Sequence, residues 1–143
     1  MFSPSREQAR RFFIDTWAKY RRGEPLAGLE HTVIQVLLLH PEYHAVLERP
    51  ERHLDRDYLP EAGDMNPFLH LSLHLAVAEQ LSIDQPGGIA RRYEELLHQT
   101  GSEHDALHAV LECLGETLWQ AQRDGKTPDE AAYIECLDRR LQK

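Results

Sequence analysis

Three pairs of side chains stand at the spacing of one helical turn and carry metal-binding chemistry: His40 with His44, His70 with His74, and His108 with Glu112. An i, i+4 interval sets two side chains on one helix face, about 6 Å apart at Cβ, so that both can reach one cation. Metal sites in helix bundles are assembled this way, from imidazoles and carboxylates on facing helices. Five imidazoles and one carboxylate suit one ion with donors to spare, or two ions sharing the carboxylate. Nitrogen-rich donors select a transition metal, Zn or Fe ahead of Ni or Mn, over Ca and Mg, which prefer oxygen.

Each pair has a plainer explanation. A histidine on an apolar face is commonly satisfied by a carbonyl or carboxylate and needs no metal. His40 and His44 flank Pro41, where a surface turn would leave both solvated, and His108 with Glu112 could be a hydrogen-bonded pair on a helix flank. The pair hardest to explain by packing is His70 and His74. Winding residues 66–81 at 100° per residue puts His70, His74, Val77 and Leu81 within about 60° of one another, so two imidazoles take the middle of an apolar stripe. Burying both without strong partners is costly. His31, His53 and His98 have no partner in register, and His104 is left open. Glu42 and Glu116 are either solvated charges or groups that assist a metal-bound water.

Helices must position these groups. Ser3 and Pro4 open helix 1, whose stripe Ala9, Phe13, Trp17 and Tyr20 has helical spacing and ends at Gly23. Helix 2 follows Pro25, carries Val33 to Leu39, and should break or restart at Pro41, with His40 at the cap of the new turn and His44 one turn on. Residues 49–65 read as a surface loop. Asn66 caps the central helix, and Pro67 fits its first turn. Asp84 to Gly88 breaks the chain before a helix over Ile89–Thr100 that stops at Gly101. A fifth helix starts at Ser102, with its apolar face centred on Leu107, Leu111, Leu114 and Leu118, and Thr127 caps the last. No segment alternates with period two for long enough to make a strand. The expected architecture is all-α, one domain over residues 1–143, a bundle of five to six helices.

Composition bounds the function. A chain of 143 residues can bury one core without a structural metal. A net charge of −8 argues against nucleic acid as partner. The longest apolar run, Val36 to Leu39, is too short for a bilayer, and the first twenty residues hold no secretory apolar core, so no membrane partner and a cytoplasmic location are expected. Cys113 and Cys136 lack a Cys-x-x-Cys spacing and read as buried, reduced thiols. Phosphate loops, Gly-x-Ser-x-Gly elbows and His-Glu-x-x-His pairs are absent from the sequence.

Four stretches also carry a family resemblance: Met1-Phe2-Ser3-Pro4-Ser5-Arg6, His40-Pro41-Glu42-Tyr43-His44, Asn66-Pro67-Phe68-Leu69-His70-Leu71-Ser72-Leu73-His74, and Glu112-Cys113-Leu114-Gly115-Glu116. They resemble the bacterial proteins grouped as domain of unknown function 1841. The resemblance extends over nearly the whole chain. It implies a small cytoplasmic bacterial protein and brings no assigned activity. Likeness to hemerythrin-type metal bundles is one of spacing alone, with the donors in a different order, and is an analogy of fold.

Two functions of different class follow. The first is a helical metal-binding protein with His40, His44, His70, His74, His108 and Glu112 as ligands, whose chemistry would be metal-dependent hydrolysis or non-haem iron chemistry. The second is a metal-free adaptor. Helix 1 carries Arg6, Arg10, Arg11, Lys19, Arg21 and Arg22 against Glu7 and Asp15, a basic aromatic surface for a protein partner or a second copy of the chain.

Overall fold

The computed structural model describes residues 6–53 and 66–141, and among them every regular element is helical. The order is α1 (Arg6–Arg21), α2 (Leu29–Leu38), a 3-10 turn over Pro41–Tyr43, α3 (His44–Leu47), α4 (Pro50–His53), α5 (Pro67–Ile83), α6 (Ile89–Thr100), α7 (Glu103–Asp124) and α8 (Glu130–Leu141). The all-α class is as expected. The expected count of five to six is exceeded, because the chain after Pro41 winds into the short helices α3 and α4. Part of the stretch read as loop is thus helical. Its remainder, 54–65, and the expected Ser3–Pro4 cap lie outside the described residues.

Backbone contacts gather the chain into two compact units, Met1–Leu75 and Ala76–Lys143, with α5 contributing to both. In the first, α1 and α2 bury Phe13, Ile14, Trp17, Val33, Ile34, Val36 and Leu37, joined by Leu47 of α3 and by Phe68 and Leu71 of α5. Gly23 stops α1 by taking a left-handed conformation, φ 71°, while its N–H reaches Tyr20 O and that of Glu24 reaches Lys19 O. Pro41 cannot continue α2, and the chain turns there. Asn66 caps α5 as expected: its Oδ1 accepts from the N–H groups of Phe68 at 3.0 Å and Leu69 at 3.1 Å.

In the second unit Asp84 turns back on itself, accepting from Ala90 N and Gly88 N, so its carboxylate caps α6. Those bonds hold Asp84 below its ordinary pKa. Ser102 Oγ accepts from Asp105 N at the start of α7, as the sequence predicts. Three expectations need correction. The α8 cap is Asp129, whose Oδ1 accepts from Ala132 N, and not Thr127. The buried face of α7 is Ala106, Val110, Leu111, Cys113, Leu114 and Thr117, whereas Leu118 is exposed. The face is rotated because α8 packs on the Cys113 side, and here a third correction falls. Cys113 and Cys136 are bonded to each other rather than reduced, with their Cα atoms 5.7 Å apart on α7 and α8. Arg92 of α6 ties the unit together through a two-pronged bond to Asp138, at 2.7 and 3.3 Å. No helix of the described residues is long and apolar enough to cross a membrane.

Candidate metal centre

Three of the six expected ligands come together within the first unit. His40 ends the turn after α2, and His70 and His74 stand one turn apart on α5. One ring nitrogen from each of the three lies within 4.8 Å of the others. The Nε2 atoms of His70 and His74 are 3.1 Å apart, and the ring of His40 meets those of His74 and His70 edge-on at centroid distances of 4.3 and 5.2 Å. His40 and His74 are buried, at 3% and 4% exposure, while His70 is half-buried.

The backbone explains how His40 gets there. Once α2 ends, its last carbonyls lack helical partners. His40 N–H reaches Leu37 O, and its Nδ1 folds back on Val36 O at 2.8 Å. A carbonyl can only accept, so Nδ1 carries the proton and Nε2 presents a lone pair. This is the arrangement of a ligating histidine, in which the nitrogen remote from the metal donates to a carbonyl and fixes the ring. On α5 the i, i+4 register supplies the second and third imidazoles without further device.

Tyr43 closes one flank. Its ring lies parallel to His40, 9° between planes at 5.8 Å, and crosses His70 at 68° and 5.8 Å. Burial, and secondarily the Glu42 carboxylate, push its phenol above the ordinary value, so it remains protonated at neutral pH. Tyr43 is not among the expected site residues, although its position three residues after His40 is a signal of shared facing.

Of the other three candidates, His44 lies in the first unit and His108 and Glu112 in the second. His44 does not turn toward His40: its Nε2 donates to Leu37 O at 2.8 Å, and its ring stacks on Trp17 at 4.1 Å. Two histidines thus serve the carbonyl end of α2, and one of them also faces His70 and His74. Glu112, in the second unit, accepts from Arg140 at 2.6 Å and is exposed. His108, one turn before it on α7, directs Nδ1 to His104 O at 2.8 Å, and its ring rests 4.1 Å from that of His104.

A His-lined, helical centre defines the class of the molecule only as far as an all-α protein with an imidazole cluster. The family of domain of unknown function 1841 matches residues 5–139, and the chain belongs to it. Among curated proteins and solved structures there is no match.

Proposed function

We propose that this protein binds a transition metal ion, Zn or Fe, through His40, His70 and His74. The observation that carries the reading is the meeting of three ring nitrogens from two separate elements in one largely buried place. A tetrahedral Zn with Zn–N bonds of about 2.0–2.1 Å spaces its nitrogens about 3.3 Å apart. The His70–His74 pair already stands at 3.1 Å. Small side-chain rotations would seat the third. Without metal, a proton shared between the two Nε2 atoms accounts for the same separation, so ion and proton compete for one position. Three neutral imidazoles bring no charge, which suits a borderline metal better than Ca or Mg.

The adaptor reading draws less support from the same unit. Phe13 and Trp17 of α1 are core residues, at 2% and 3% exposure, which leaves Tyr20 as the exposed ring of the stripe. Arg11, Lys19, Arg21 and Arg22 pair with Glu7, Glu30, Glu48 and Glu24 of the same chain.

The test is a competition titration of untagged protein with Zn and with Fe(II), repeated on His40→Ala. Uptake of one ion per chain that the variant loses supports the proposal. No uptake by the wild-type chain, or equal uptake by His40→Ala, overturns it.

A further inference from the structure

Resting on the metal reading just given, we infer that the ring of Tyr43 is a positioning residue for the metal, holding His40 and His70 at ligating distance from each other. The two imidazoles come from elements that nothing in the local sequence ties together. His40 leaves the end of α2, and His70 rides on α5. Each needs a stop against rotation. For His40 one stop is the Nδ1 bond to Val36 O. The second is Tyr43, whose ring lies flat along the His40 imidazole and presents itself crosswise to His70 at the same 5.8 Å.

Tyr43 can act as a wall because it is itself held. Its N–H bonds to His40 O at 3.0 Å, closing the 3-10 turn that Pro41 begins, and its side chain packs on the apolar cluster of the first unit. The ring therefore links the core to the imidazoles through packing. A flat aromatic face restrains a stacked imidazole in tilt, and an edge contact restrains the second in rotation. Partners that orient ligating histidines by hydrogen bonds typically change metal affinity about tenfold to a hundredfold when removed, and the lower end of that range is the scale expected for a ring that orients them by packing. Because the ring does the work, the hydroxyl should be dispensable.

The full chain loaded with Co(II) tests this through affinity and visible absorption. Tyr43→Phe is expected to bind Co(II) within about twofold of wild type, with the same spectrum. Tyr43→Leu, apolar but smaller and without a flat face, is expected to bind at least about tenfold more weakly, with altered bands at saturation that report a changed coordination geometry. A second measurement needs no variant: Co(II) should shift the ring-proton NMR signals of Tyr43 strongly in the wild-type protein. Equal affinity and spectra for Leu and wild type, or losses in Phe as large as in Leu, would each overturn the inference while leaving the metal site standing; unshifted Tyr43 ring protons in a loaded protein would place the metal away from His40 and His70 and overturn both readings. Failure of the wild type to take up Co(II) overturns the metal reading itself, and this inference with it.

Discussion

Replacing His70 and His74 together by leucine separates a metal site from a packed core. In the metal-free protein the change removes the 3.1 Å contact between the two Nε2 atoms, a loss of about 1 kcal/mol. Against that stands the burial of apolar leucine at position 74, which is 4% exposed, a gain of about 1.5–3 kcal/mol if the site closes around it. The Val36–His40 bond and the Asn66 cap are untouched. Metal-free mutant and metal-free wild type should therefore lie within about 2 kcal/mol of each other. With free metal at a thousand times its dissociation constant, the wild type gains about 4 kcal/mol by mass action, and the mutant almost nothing. At this chain length that is a rise of roughly 10 °C in Tm for the wild type alone. Thermal scans of both proteins, with and without Zn, read the difference directly. An equal rise in the two would show that α5 supplies no ligand. A metal-free mutant destabilised by more than about 3 kcal/mol would show that the imidazoles hold the fold by other means.

Three further outcomes follow from the same contacts. His44→Ala removes the bond to Leu37 O and the stack on Trp17, so it should cost about 2 kcal/mol of stability by chemical denaturation while leaving metal uptake intact. Removing the Cys113–Cys136 bond, which closes a sequence separation of 23 residues, should cost about 3 kcal/mol in the chain-entropy account, read as a lower denaturation midpoint for the double alanine variant; an unchanged midpoint contradicts it. Arg92 holds the Asp138 carboxyl below its ordinary pKa, so the folded value lies under the unfolded one. The stability this contributes is present above about pH 4 and lost as pH falls through the folded value; Asp138→Asn should flatten that part of the acid-denaturation profile.

Much of the fold is legible in the sequence because its ends are written in local chemistry. Asn66-Pro67, Gly101-Ser102 and Gly23 mark helix boundaries through caps and left-handed turns that depend on neighbours alone. The misreadings arise where distant packing decides. The α8 cap is a local exception: the helix starts at Glu130, so Asp129 and not Thr127 stands directly before it and accepts from Ala132 N. The Cys113–Cys136 bond depends on α7 and α8 lying side by side, and 23 residues of separation do not announce that. The site shows the same division. The His70–His74 pairing follows from one helix's register, and it is there. His40 and His44 share a turn, but Pro41 leaves the directions of their rings to tertiary contacts, which send His44 to Trp17 and His40 toward α5. Glu112 is taken up by Arg140, twenty-eight positions later, a pairing no helical spacing encodes.

The central claim is that His40, His70 and His74 form one metal site, and elemental analysis of untagged protein across independent preparations tests it most directly. The account predicts about one Zn or Fe per wild-type chain, retained through dialysis near pH 7.5 and released below about pH 6, where imidazoles protonate and ligation fails. Substoichiometric metal in every preparation, together with no uptake after dialysis against Zn or Fe(II), would contradict it.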